Sequence, residues 1–148
     1  MAIGVFGSPL KDGKSGKSEA ARFSDVTLKV GHACTFDGFD ENGNTKVKPF
    51  DGESFFGFVS ANDFNKKHKT CSVQRSGYMV PVVKDGTVTV NEVVGLDASG
   101  RVVDSDTATF IINGSIRIAE GKAVDNAYTE QDCAVIDFEL GGAKKAGG

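Results

Sequence analysis

The chain has 148 residues, 39% of them apolar and 25% charged, with a formal charge of −3. That length predicts a single domain with a modest core. The composition excludes both the dense Lys/Arg face that nucleic-acid binding needs and an apolar stretch long enough to span a bilayer. The small net charge hides a segregation: +2 over residues 1–22 and +2 over the last eight leave −7 on the segment between.

Met1 to Phe6 is apolar but short, and it breaks at Gly7-Ser8-Pro9 without a basic leader, so it does not read as a signal peptide. Residues 7–18 are rich in Gly, Ser and Lys, which predicts a flexible N-terminal arm over 1–22, with one helical turn available at 18–22. Ile3, Val5 and Phe6 are the apolar residues such an arm would bury against a partner. A β domain is predicted over 23–140 and a flexible tail over 141–148.

Six Asx-Gly pairs punctuate the chain: Asp12-Gly13, Asp37-Gly38, Asn42-Gly43, Asp51-Gly52, Asp85-Gly86 and Asn113-Gly114. Asn and Asp tolerate positive φ and Gly takes it without steric cost, so such pairs between β-branched runs predict tight turns. The first strand is predicted at residues 26–30 and the next at 33–36, followed by a polar turn over 37–44. Pro49 places residues 46–50 at an edge or a strand end. In the apolar run 54–60, Gly57 predicts a bulge or a close backbone approach. Alternation there sets Phe56 and Phe58 on one face, as core, and Phe55 on the other, against a partner or a second sheet; the alternative is that all three are core.

Residues 61–69 read as a loop whose basic tip includes Lys66 and Lys67. Strands follow at 70–74, 78–83 and 87–94, the last two bracketing Asp85-Gly86 as a hairpin. A tight turn at 97–100 and strands at 110–112, 116–119 and 133–140 close the chain. The fold class is therefore all-β: a small antiparallel β-barrel or jelly-roll-like sandwich with a flexible N-terminal arm.

No motif completes a catalytic or cofactor site. A phosphate loop needs Gly five places before Gly-Lys-Ser, and Ser8 and Lys11 stand there instead. The acidic stretch 37–44 places Gly43 seventh from Asp37 and fourth from Asp40, which misses calcium-loop spacing. His32 and Cys34 offer two soft ligands where a closed zinc site needs four. Neither of the two histidines lies in a nucleophile signature. The chain is thus expected to be non-enzymatic, without cofactor or metal.

Three segments, 50–59 (Phe-Asp-Gly-Glu-Ser-Phe-Phe-Gly-Phe-Val), 71–81 (Cys-Ser-Val-Gln-Arg-Ser-Gly-Tyr-Met-Val-Pro) and 94–102 (Val-Gly-Leu-Asp-Ala-Ser-Gly-Arg-Val), together resemble the small cement, or head-decoration, proteins of tailed bacteriophages. Those proteins order a Gly-φ-Val strand, a Val-x-x-x-Gly strand and an Asp-x-x-Gly-Arg turn in this way. The resemblance implies a structural protein that binds the outer surface of an icosahedral capsid. It would bridge neighbouring major capsid protein subunits, self-associate as a dimer or trimer at symmetry axes, and reside on the virion exterior after assembly in the host cytoplasm. Major capsid protein and self are the partners expected, with no nucleic acid and no membrane. The alternative, a carbohydrate- or receptor-binding β module of a fibre or adhesin, would call for exposed Trp/Tyr platforms, and the chain has no Trp and two Tyr.

Three cysteines, Cys34, Cys71 and Cys133, at wide spacing predict reduced thiols. Alkylation of the unfolded, unreduced protein is expected to modify all three by mass spectrometry; a protected pair would show a disulfide.

Overall fold

The computed structural model describes residues 2–5, 7, 16–62, 67–84, 88–124 and 130–147, with side chains described for all but 2–5, 118–124 and 130–133. The described residues form eleven strands and no helix. Five strands close a barrel in the order β2-β4-β3-β5-β6: β2 (Ser18–Phe23), β3 (Ala33–Phe39), β4 (Thr45–Pro49), β5 (Gly57–Asn62) and β6 (Thr70–Gln74). A second sheet runs β7-β11-β10-β8-β9, from β7 (Gly77–Met79), β8 (Val93–Leu96), β9 (Val102–Asp104), β10 (Phe110–Val124) and β11 (Glu130–Lys145). β1 (Ala2–Val5) joins this sheet by parallel pairing with β10.

The all-β expectation holds, and several boundaries move. Residues 18–22 form neither a helical turn nor a free arm: β2 pairs Ser18↔Gln74 through Arg22↔Thr70 on β6 and closes the barrel. Ahead of it, β1 pairs Val5 with Val124 and the Gly7 N–H donates to the Val80 carbonyl at 2.7 Å. The tail is also shorter than expected, because β11 continues to Lys145, opposite Phe110. Residues 26–30 are turn rather than strand. The Asp25 carboxylate accepts from Thr27 N–H at 2.9 Å and Thr27 Oγ1 at 2.6 Å, an Asx turn that competes with strand extension. At 78–83 the strand stops at Met79, since Pro81 has no N–H to donate, and only a Val83–Val102 bridge follows. The strand expected over 87–94 shrinks to Val93 and Val94 because 89–92 turn, with Asn91 at φ 70°.

The Asx-Gly pairs serve three different ends. Asn42-Gly43 makes the β3–β4 turn and Asp51-Gly52 turns the β4–β5 loop, Gly43 and Gly52 having φ of 81° and 82°. Asp37-Gly38 lies inside β3 as a bulge, and Asn113-Gly114 lies inside β10. Asp12-Gly13 and Asp85-Gly86 fall outside the described residues.

The first half of β5, Gly57 to Val59, is buried on both faces, which joins the two halves. Val59 points into the barrel core with Phe23, Val47, Phe56 and Val73, while Phe58 points into the core of the second sheet. Phe56 and Phe58 therefore occupy different cores, contrary to simple alternation, because the strand begins only at Gly57 and residues 54–56 precede it. The Phe58 ring meets Phe138 edge-on at 5.0 Å and Phe55 at 5.2 Å, and Phe50 meets Phe110 at 5.2 Å. Gly57 shows the expected close approach: a Cβ there would sit 2.5 Å from the Gln74 carbonyl oxygen.

Phe58 is fully buried at this junction, so Phe58→Ala is expected to lower stability by about 3–5 kcal/mol in denaturant titration. Deleting residues 1–22 removes β2 and should abolish cooperative unfolding. Deleting 1–5 removes only β1 and should preserve it.

Candidate interaction surface

Of the six residues singled out from the sequence, Phe55 and Lys67 have described side chains. Ile3 and Val5 lie on β1, remote in pairing from the barrel, and their side chains are outside the described set, as are Phe6 and Lys66 altogether. Lys67 is exposed. Phe55 is half-buried against Phe58, Phe110 and Phe138, so of its two expected roles it takes the second: it packs on the other sheet.

A different surface emerges at the end of the barrel where β3 leaves, β4 enters and β6 finishes. On β3, Phe36 faces Val47 and Phe39 faces Thr45, so three steps along β3 match two along β4. The bulge at Asp37-Gly38 absorbs the extra residue, with Gly38 at φ 79°, and turns both rings to the same face. That face is the barrel's apolar face, continued past the point where the barrel closes over it. Phe36 stacks on the buried Phe56 at 5.8 Å and meets Phe39 edge-on at 5.4 Å, yet Phe36 and Phe39 remain 42% and 65% exposed.

Polar groups brace this aromatic row. The Arg75 guanidinium lies 3.9 Å from the centre of the Phe56 ring, donates from Nε to the Phe56 carbonyl at 3.1 Å and pairs with Glu19 at 3.3 Å. Glu19 also accepts from Thr45 Oγ1 at 3.2 Å. The ion pair is part-exposed and worth little by itself; the guanidinium over the ring adds about 1 kcal/mol.

Beside Phe39 an open cleft of about 430 Å³ is lined by Arg22, Lys46, Lys69, Asp40 and Glu41, among others. Lys69 has φ 51°, unusual for a side-chain-bearing residue, and its carbonyl accepts from Phe23 N–H at 3.0 Å. Asp40 is held by its own turn, accepting from Asn42 and Asn44 N–H at 2.9 and 2.8 Å and from Asn44 Nδ2 at 2.9 Å. The Asn44 bonds, side chain then backbone, are the chief reason its carboxyl sits below the usual range. The acidic stretch weighed as a calcium loop is thus a self-capped turn.

The other sequence candidates are structural. Cys34 and Cys71 are free and buried in the barrel core. Burial pushes the Cys34 thiol far up and the Cys71 thiol up to about 11, as for thiols packed in an apolar core. His32 points away from Cys34 chemistry: its Nδ1 donates to the Ser99 carbonyl at 3.0 Å, beside a small cavity of about 240 Å³ bounded by Leu28, Pro49 and Phe50. In the Asp-x-x-Gly-Arg turn, burial raises the Asp97 carboxyl, but bonds from Arg101 N–H, Ser99 and the Arg101 guanidinium outweigh it and hold it low. No group of three or more potential metal ligands occurs among the described residues. The chain matches no protein-family model and no curated protein.

Burial lowers the His32 pKa from 6.5, with Lys29 and Arg101 adding to it against the Ser99 carbonyl and Asp97. The unfolded chain then binds the proton more tightly than the folded one, so His32 costs nothing above pH 6.5 and destabilises progressively as pH falls below it toward the lowered folded value. Urea midpoints measured from pH 7.5 to 5.5 are expected to fall, and His32→Gln should flatten the slope.

Proposed function

We propose that the chain is a structural virion protein that binds the outside of an icosahedral phage capsid and cements neighbouring major capsid protein subunits. The observation that carries this reading is the exposed Phe36–Phe39 pair, seated on a closed barrel and backed by Phe56 and Arg75. Two touching aromatic rings left in water by a rigid frame are a surface for a partner, since burying them against protein recovers about 25 cal/mol per Å² of apolar area. The three segments that resemble cement proteins support the shell as that partner. Gly57-Phe58-Val59 opens β5, 71–81 spans β6 and β7, and Asp97 to Arg101 turns β8 into β9, in the order of those proteins.

A cement protein stabilises by mass action: it binds the assembled shell and not its dissociated subunits, so each occupied site shifts the balance toward assembly. Repetition over the shell lets interfaces of modest size sum. The small aromatic row and rigid barrel suit that role, because a preformed surface orders little on binding.

The test is co-sedimentation with expanded capsids that lack decoration, followed by a thermal melt of the loaded shells. Saturable binding with a raised shell melting temperature is expected. Absence of both at micromolar protein, with glycan-array binding in their place, would transfer the chain to the adhesin class.

A further inference from the structure

We propose that the cleft beside Phe39 docks a short acidic segment of a partner protein, an apolar side chain packing on Phe39 and Phe36 and its carboxylates meeting Arg22, Lys46 and Lys69. The partner's identity as a capsid subunit rests on the reading above; the chemistry of the segment rests on the cleft.

Three observations select this occupant. The first is size. Phe39 and Phe36 at 65% and 42% exposure offer only about 200 Å² between them on typical aromatic areas, far below the ~800 Å² per partner of a stable face-to-face interface. Next to them the surface is concave, and the cleft of about 430 Å³ has the dimensions of a site that receives a few side chains. The row with its adjoining hollow suits a segment with one anchor, not a flat second copy.

The second is charge. Arg22, Lys46 and Lys69 line the cleft against Asp40 and Glu41, and the Asp40 oxygens already accept three hydrogen bonds from their own turn. Lys46 reaches Asp37 only at 4.0 Å and Arg22 donates to the His68 carbonyl only at 3.4 Å. The lining holds three cationic side chains against two carboxylates, a +1 excess on a chain of net charge −3, and that excess favours an acidic segment.

The third is construction. The bulge at Gly38 brings the second ring onto the first, and Lys69 holds a left-handed backbone at the cleft's lip while tying β6 to Phe23. The bulge re-aims Phe39 and the Lys69 carbonyl extends the β2–β6 pairing, and both act at the edge of the same cleft.

The probe is a set of short fluorescent peptides with one Phe followed by three acidic residues, with controls replacing the Phe by Ser or the acids by Lys. Binding to the full chain is read by anisotropy across a salt series, and capsid co-sedimentation is run in parallel. Preference for the intact acidic peptide is expected. Phe39→Ser and Lys69→Glu should each weaken it about ten-fold, and added salt should weaken it further. Both variants should keep the wild-type melting curve, because both side chains are exposed. Indifference to the acids, or equal binding by Phe39→Ser, would overturn the proposal. So would preference for a sialylated glycan, or a wild-type dimer that Phe39→Ser dissociates. Capsid binding that survives Phe39→Ser would overturn the docking site and leave the cement function. Peptide binding through Phe39 without capsid binding would do the reverse.

Discussion

The structure depends on β5, whose first half has no solvent face. β5 gives Val59 to the core of the barrel and Phe58 to the core of the second sheet. Such a strand needs a large apolar residue on each side and a point of entry with no side chain at all. Gly57 supplies that entry, where a Cβ would run into the Gln74 carbonyl and Val73. The aromatic set follows from this geometry. Phe50, Phe55, Phe110 and Phe138 gather around Phe58 with mostly edge-on contacts, which fill the wedge between a barrel and a sheet without a polar atom to satisfy.

A second join runs through main-chain bonds. Ala33 N–H on β3 donates to Gly100 in the β8–β9 turn, and Val82 N–H, after β7, donates to Gly31 ahead of β3, so segments of the second half are pinned to the barrel. Asp97 holds the turn that presents Gly100, and the half-buried His32 bonds the same turn through Ser99. The residues that offered chemistry in the sequence are thus spent on architecture: His32 on the seam, Cys34 and Cys71 in the barrel, Asp40 and Asp97 in their turns.

Rigidity is what the proposed surface gains from this. Phe36 and Phe39 lie on a strand paired to β4, Phe36 rests on a buried ring, and that ring is held by Arg75. Their positions are set before any partner arrives, so association costs little side-chain entropy. The closed barrel also leaves no free edge on those five strands, which directs recognition toward side chains and away from strand addition.

Much of the fold was legible in the chain. The turn at Asn42-Gly43, the turn at 97–100, the strands of 70–74 and 134–138, the strand-end role of Pro49 and the tight approach at Gly57 all follow from local φ preference, lost donors and alternation. These are properties of a few neighbouring residues, and the sequence by itself determined them. What only the tertiary structure decided was long-range: that 18–22 closes a barrel against 70–74, that 144–145 pairs with 110–111, and that Asp37-Gly38 is a bulge and not a turn. Ser18 to Arg22 follows a Gly-, Ser- and Lys-rich stretch and could as well turn as a helix, and 141–145 is Gly, Ala and Lys, so both looked like ends. Such residues carry no pattern of their own and take strand geometry only when a partner strand offers hydrogen bonds. Phe39 was hidden for the same reason. Its exposure depends on the register between β3 and β4, and register is set by pairing at a distance, which no local reading of Asp-Gly-Phe contains.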